Sequence, residues 1–413
     1  MRSFGGELGD LLRSTLDHPA VSSSRLQAEA ANLQTEAAKG RLYGQAALSY
    51  GLSRYEGPRV VGYYAPGTLP APLIDRNIGV ASVSYSLPID IFGQISAAAD
   101  KARNQAATAD LLYRQKQLGK LHQTLGAYYT LYALQCRQEA LIAYRGAVEA
   151  MVKRLKAEVA LGRSAPVQTS YAESQLARLQ SDETQVHGDI VAMQASLAEA
   201  SGTPDVIAGS RSVFIPDWSG ASGRDALSVK IAKTGEKAAL AAVNEARTNL
   251  MPQVSLNTNF ARNDAIDGGS RDTWSVGVNI SVPIGVSSYR QLGAARAAAF
   301  AAQDAALASQ READAAIAAL SAQYDTAKSE IVALEKEVAY RNELVKVEKE
   351  MHTLGNQTME NLFRHEDDLL EAKTRLAQAQ VKAVASWSGM QMLIGIEPET
   401  YIKALDGTSA ERK

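Results

Sequence analysis

The sequence predicts a mainly α-helical fold with a smaller β portion, arranged as two copies of one structural block. The segment SLPIDIFG at 86–93 resembles SVPIGVSS at 281–288, which places Pro88 and Pro283 at equivalent positions 195 residues apart. The stretches 94–160 and 288–353 contain no proline, as is typical of long helices. A segment in which apolar and polar residues alternate precedes each stretch, and this period of two indicates β-strands.

The first copy, residues 1–209, begins with a helix near 7–40 and continues into a strand hairpin at 45–88. In this hairpin, apolar residues alternate with small polar ones: Ala46, Leu48, Tyr50, Leu52, Ala81, Val83, Tyr85 and Leu87. A long helix at 94–161 follows, roughly 100 Å in length at about 1.5 Å per residue. Its apolar residues recur at steps of three and four, which is the pattern of a coiled-coil seam: Leu118, Leu121, Leu125, Tyr128, Tyr132, Val148, Val152, Leu155 and Val159. A helix at 167–202 completes the copy.

The second copy, residues 210–413, repeats this order with a helix at 224–250, a hairpin at 253–283, a long helix at 288–354 and a helix at 358–394. Its hairpin shows the same alternation in Val254, Leu256, Phe260, Trp274, Val276, Val278, Ile280 and Val282. Its long helix carries a heptad seam that is interrupted only by Arg341: Ile317, Leu320, Tyr324, Ala327, Ile331, Leu334, Val338 and Val345. We expect the segment 203–223 and the tail after Gly395 to pack as an equatorial collar.

Four strands with one apolar and one small polar face are typical of transmembrane β-strands, since each run is about 9 to 11 residues long. Four strands cannot close a barrel with a lumen, and unpaired strand edges are not tolerated in lipid. We therefore predict that the barrel is shared between chains. Three copies would give 12 strands, and the same symmetry would gather the helices into one tube.

From about Glu7 to Pro398, the sequence resembles the TolC-like outer membrane efflux factors of Gram-negative bacteria. The resemblance rests on ARTNLMPQVSL from Ala246, on the turns at Pro88 and Pro283, and on the two Leu-Gly turns, all in the same order and spacing. It implies a homotrimer in outer membrane lipid with a helical periplasmic extension. It also implies two protein partners, a periplasmic adaptor and an inner membrane pump.

The two turns that follow the long helices are the predicted adaptor-docking tip, formed by Leu161, Gly162, Arg163, Ser164, Leu354, Gly355, Asn356 and Gln357. Family members often carry an acidic residue about six positions after each turn glycine, at the periplasmic gate. Here those positions hold Gln168 and Asn361, and a further acidic position holds Arg364. Glu360 is the nearest carboxylate, so we predict a gate of Gln168, Glu360, Asn361 and Arg364 that attracts cations less than an acid-ringed one.

The sequence gives no indication of catalysis, of a cofactor or of a metal site. Its five histidines have no helical spacing to one another or to the single Cys136, and no phosphate-cradling or dinucleotide-binding glycine motif is present. A net charge of -2 with interleaved acidic and basic residues does not favour nucleic acid binding. The connection from Glu56 to Asn77, with Tyr63 and Tyr64, is read as an extracellular loop.

We therefore expect a passive outer membrane exit duct of a tripartite efflux pump, opened at its helical tip by the adaptor and pump. One alternative is the outer membrane component of type I protein secretion, because the same duct serves both systems. A second, of a different class, is a soluble coiled-coil scaffold, because the N-terminus MRSFGGELGDLLRS lacks the apolar region of a secretory signal. The alternating strand from Trp274 to Val282 argues against the scaffold, which gains nothing from an exposed apolar face.

Overall fold

The computed structural model describes residues 8–61, 74–203, 213–218, 220, 222–265, 268–354 and 358–405. Eight helices and four strands occur in these ranges, in the order α1 Leu8–Leu16, α2 Pro19–Gly40, β1 Gln45–Val60, β2 Ile74–Ile89, α3 Gln94–Ala160, α4 Pro166–Ser201, α5 Leu227–Thr248, β3 Gln253–Ala265, β4 Ser270–Ser281, α6 Val286–Thr353, α7 Met359–Ile394 and α8 Pro398–Leu405. The predicted fold class, mainly helical with a four-stranded β portion, is confirmed.

The chain forms two compact units that interleave along the sequence. Unit 1 contains residues 1–25, 111–230 and 308–413, and unit 2 contains residues 26–110 and 231–307. The helices α3 and α6, of 67 and 68 residues, contribute to both units. The compact units therefore cut across the two sequence copies, because each copy supplies strands to unit 2 and helix ends to unit 1.

Unit 2 is built around one antiparallel sheet with the strand order β1-β2-β3-β4. The first hairpin pairs Leu48 with Val83, the second pairs Phe260 with Trp274, and Val83 pairs with Phe260 between them. Because β2 pairs with β3, the two sequence copies join in one sheet. The strands β1 and β4 are the edges of this sheet.

Unit 1 is a helical unit whose core follows the predicted seams. The apolar seam residues of α3 and α6 are mostly buried, including Leu118, Leu121, Val148, Ala327 and Leu334. The polar interruption at Arg341 is compensated, since its guanidinium lies 2.8 Å from Glu337 on α6 and 2.7 Å from Asp368 on α7. The seam therefore continues through an ion pair that joins α6 to α7.

Three features differ from the sequence-based expectations. The loop expected over residues 56–77 is partly strand, because β1 continues to Val60 and β2 begins at Ile74; Tyr63 and Tyr64 lie outside the described residues. The helix expected over 7–40 is divided into α1 and α2 at Asp17 and His18, because Pro19 disfavours a helical residue before it and begins the next helix. The tail after Gly395 contains the helix α8, whose Tyr401 and Ile402 are fully buried. Among the described residues, no helix is both long and apolar enough to cross a membrane.

Candidate functional site

The sheet has two chemically different faces, because the register of neighbouring strands places most apolar side chains opposite apolar ones and most polar side chains opposite polar ones. On the apolar face, one cross-strand row consists of Leu48, Val83, Phe260 and Trp274. Further rows of this face contain Tyr85 and Val276, then Leu256 and Val278, then Val254 and Ile280. The apolar side chains of the edge strands are highly exposed: Leu48 84%, Tyr50 73%, Trp274 77%, Val278 63% and Ile280 65%.

The opposite, polar face carries small uncharged side chains over most of its height. Its rows include Ser84, Asn259 and Ser275, and next to them Ser86, Asn257 and Gly277. The hydroxyl oxygens of Ser49 and Ser82 lie 2.7 Å apart across β1 and β2, and the Asn257 amide donates to the Ser255 hydroxyl. Small polar side chains of this kind suit a water-filled lumen.

The turn between β2 and α3 is fixed by an aspartate cap. The carboxylate of Asp90 accepts hydrogen bonds from the backbone N–H groups of Ile95 and Ser96, both at 3.0 Å, and from the Ser96 hydroxyl at 2.8 Å. Burial acts to raise the pKa of Asp90, but these hydrogen bonds outweigh it and lower the pKa overall. The positive end of the helix dipole also stabilises a carboxylate at this position.

The turn between α3 and α4 contains the first predicted tip residues, Leu161 to Ser164. Gly162 adopts a left-handed conformation with φ of 71°, and the Arg163 N–H donates to the Glu158 carbonyl at 2.8 Å. This geometry ends an α-helix, and Pro166 then begins α4. Leu161 is 67% exposed, and Leu354 at the end of α6 is 72% exposed. The predicted tip residues Gly355, Asn356 and Gln357 lie outside the described residues.

The predicted gate residues occupy the first turns of α4 and α7. Gln168 is exposed, and its side-chain oxygen accepts a hydrogen bond from the Ser164 hydroxyl. Glu360 and Arg364 are exposed one turn apart on α7, and the half-buried Asn361 donates its backbone N–H to Thr358 at 3.4 Å. The two helices meet in unit 1, since the Tyr171 and Phe363 ring centroids are 6.1 Å apart and Arg178 lies 3.7 Å from Asp367.

Sequence reasoning missed two polar contacts in unit 1. The buried ammonium of Lys120 lies 2.9 Å from the Glu199 carboxylate, which joins α3 to α4. His122 Nδ1 lies 2.7 Å from the Ser388 hydroxyl oxygen, and burial lowers the pKa of His122. The partners are separated by 79 and 266 positions, so no local spacing could have indicated them.

The side chains that most often bind metal ions or act as nucleophiles were compared for their arrangement in the described residues. In the part of the chain that the structure describes, no three His, Cys, Asp or Glu side chains converge on a point that could hold a metal ion. Cys136 is half-buried, and burial raises the pKa of its thiol, which disfavours the nucleophilic thiolate.

Comparisons with known proteins give one consistent result. The model of a family described as outer membrane efflux protein matches residues 13–203 and 225–395. The chain is similar in structure to the outer membrane protein VceC from Vibrio cholerae, with a TM-score of 0.77 at 18% identity over 94% of this chain and 96% of that one. A membrane protein from Pseudomonas aeruginosa gives 0.80 at 17% identity, covering 94% and 93%. The Campylobacter jejuni CmeC outer membrane channel gives 0.76 at 15%, covering 97% and 89%. No curated protein matches the sequence.

Proposed function

Because the chain belongs to the outer membrane efflux protein family, whose members are channels of the outer membrane, we propose that three copies form a passive exit duct of a tripartite efflux pump. The duct carries out no bond-making step. Transport is driven by an inner membrane pump, and a periplasmic adaptor opens the duct at its helical tip.

The observation that carries this proposal is the two-faced sheet with two unpaired edges. Its apolar face suits lipid over the rows from Trp274 to Ile280, because Trp274, Val276, Val278 and Ile280 are all exposed there and charged side chains are costly in lipid. The charged residues Arg262 and Asp272 lie on the same face one row beyond Trp274, towards the C-terminal end of β3. The backbone groups of β1 and β4 need partners in lipid, and neighbouring copies can supply them. Three copies of four strands close a 12-stranded barrel, whose inner wall would be the polar face, which is uncharged over most of its height.

The exposed leucines of the two turns support the tip as the adaptor contact. Leu161 and Leu354 hold equivalent positions in the two copies, and both are more than 60% exposed. A single exposed leucine is ordinary, but in the proposed trimer these two positions would supply six exposed leucines to the helical tip, which is the kind of clustered apolar surface that a protein partner covers. Adaptor docking at these turns would place the contact beside the predicted gate residues Gln168 and Glu360.

A matched pair of substitutions on neighbouring residues of β4 tests the assignment of the two faces. Val278→Lys puts a charge on the face proposed to meet lipid, where lysine costs about 2–4 kcal/mol at the bilayer midplane. Asn279→Lys puts the same charge on the face proposed to line the lumen, where water can hydrate it. We expect Val278→Lys to reduce the amount of heat-stable trimer in the outer membrane and Asn279→Lys to leave it near normal.

Native mass spectrometry in mild detergent provides the second measurement. The wild type should have the mass of three chains. A detergent-free monomer that retains all four strands would overturn the shared barrel. Equal tolerance of the two lysines would overturn the assignment of the faces.

A further inference from the structure

A cavity of about 300 Å³ lies within unit 1, between residues 144–154 of α3, the end of α6 and the first two turns of α7. This volume is at the lower end of the range for small-molecule sites. Apolar side chains form most of its wall: Tyr144, Val148, Met151, Leu362 and Phe363. None of the predicted gate or tip residues lines it.

The apolar wall is tied together by contacts within the protein. Tyr144, Val148, Leu362 and Phe363 are all buried. The Tyr144 hydroxyl donates a hydrogen bond to the Phe363 carbonyl at 3.1 Å, which ties α3 to α7 across the cavity. The Tyr171 ring lies beside Phe363, with the ring centroids 6.1 Å apart and the ring planes tilted by 36°. The aromatic rings are therefore held in place by contacts that do not depend on a ligand.

The charged side chains at the cavity are already compensated. The Lys349 ammonium lies 2.6 Å from the Glu366 carboxylate, and the Arg154 guanidinium lies 2.7 Å from Glu158. Burial, and then the nearby Arg154 charge, lower the pKa of His352, so its imidazole is neutral near pH 7. A charged ligand would have to displace an existing ion pair, whereas a neutral one would not.

Two buried polar atoms at the cavity, Glu366 Oε1 and His352 Nδ1, make no hydrogen bond to the described residues. Glu366 Oε1 still lies 2.6 Å from the Lys349 ammonium, so His352 Nδ1 is the one that lacks a compensating partner there. A buried nitrogen without a partner costs free energy, which a suitable ligand recovers. A hydroxyl group can donate to this nitrogen or accept from it, and therefore fits either tautomer of the ring.

We propose that this cavity binds an uncharged, flat aromatic molecule that carries one hydroxyl group, with its rings against Tyr144 and Phe363 and its hydroxyl on His352. This inference goes beyond the proposed function, because it needs only the fold of unit 1. Such a ligand would contact α3, α6 and α7 at once. Its binding would favour the packing of these helices seen in the structure.

Isothermal titration calorimetry with 2-naphthol tests the site on the detergent-solubilised protein. Ala147 lines the cavity, so Ala147→Leu should fill part of it and weaken binding at least about tenfold. Ala143 is exposed on the same helix one turn earlier and does not line the cavity. Ala143→Leu in the same detergent should bind as the wild type does. Weaker binding by Ala147→Leu alone cannot come from uptake by micelles, because the micelles are the same in both samples.

The role of the hydroxyl is tested by comparing 2-naphthol with naphthalene. The wild type should bind 2-naphthol about fivefold more tightly, the factor expected for one neutral hydrogen bond. In His352→Phe this preference should disappear while naphthalene binding persists. Equal binding by Ala147→Leu and Ala143→Leu, or an unchanged preference in His352→Phe, would overturn the proposal. Circular dichroism and trimer mass, measured on each variant, separate these outcomes from misfolding.

Discussion

At the scale of single residues, the contact between Lys120 and Glu199 shows how burial changes the value of an ion pair. Lys120 is buried, whereas the carboxylate of Glu199 is largely exposed. Exposed pairs contribute little, but removing the partner of a buried charge is costly. Glu199→Gln should therefore lower the thermal unfolding midpoint more than Glu173→Gln. Glu173 lies on the same helix as Glu199, and its substitution removes an exposed ion pair with Lys156 of α3.

The effect of Glu199→Gln should depend on pH. The hydrogen bond and charge of Lys120 lower the pKa of the Glu199 carboxyl from its ordinary 4.5, so the folded protein holds this proton more weakly than the unfolded chain does. The stabilisation is full above pH 4.5 and is lost as the pH falls through the lowered pKa. Unfolding midpoints measured from pH 7 downward should converge for wild type and variant. A constant difference over that range would contradict the assignment.

The cap of α3 is a second prediction at this scale. Asp90→Ala removes three hydrogen bonds to the start of the helix and should lower the free energy of unfolding by about 1 kcal/mol. Asp100→Ala is the matched control, because the exposed Asp100 carboxylate lies 3.1 Å from the exposed Arg103 on the same helix. Denaturant titration of the solubilised protein compares the two. Equal losses in the free energy of unfolding for the two variants would show that the Asp90 cap contributes no more to stability than an exposed ion pair does.

At the scale of elements, the turn after α3 has a left-handed glycine at the proposed docking tip. A Cβ added at Gly162 would meet no atom within 4 Å, so at that atom only the left-handed backbone opposes substitution. That conformation costs roughly 1–2 kcal/mol for a residue with a Cβ, and more for a β-branched one. Gly162→Val should therefore distort the turn and abolish transport while the trimer still assembles.

The control for this turn is Gly146→Val, since Gly146 lies within α3 and also has open space around it. We expect this variant to support transport close to the wild-type level in a strain that lacks its own channel. The measurement is the cellular accumulation of a compound that the wild-type protein is first shown to export. Normal transport in both variants would move the docking site away from the turn.

The elements that could be predicted from the sequence are those with a local signal. The alternation from Trp274 indicates a strand and the heptad steps from Ile317 indicate a helix, because each element turns one face towards its neighbours. Gly162 was predictable as a helix end, because glycine is the residue that most easily adopts the left-handed conformation found there. The contacts that organise unit 1 have no such signal. The Tyr324 hydroxyl donates to the Pro216 carbonyl at 2.8 Å, and Tyr144 to Phe363, over separations of 108 and 219 positions. The cavity beside His352 depends on three helices, and no single one of them indicates it.

At the scale of the whole molecule, the three-fold symmetry of the proposed trimer would turn each side chain that faces the lumen into a ring of three. An Asp at position 361 would place three like charges together, and such rings set ion preference by close-range electrostatics. The wild type has the uncharged Gln168 and Asn361 at the proposed gate, with Arg364 one turn of α7 beyond Glu360. We therefore expect a weak cation preference for the wild type in planar bilayers.

Asn361→Asp should increase both the cation preference and the block by trivalent cations added from the periplasmic side, while the neutral control Asn361→Gln should change neither. The reversal potential under a salt gradient measures the preference directly. A wild type that is already strongly cation-selective, and that loses this selectivity in Glu360→Gln, would place the constriction at residue 360 instead. If none of these substitutions changes the reversal potential in channels that do conduct, the narrowest point lies away from the start of α7, since a ring of three charges at the constriction cannot be silent.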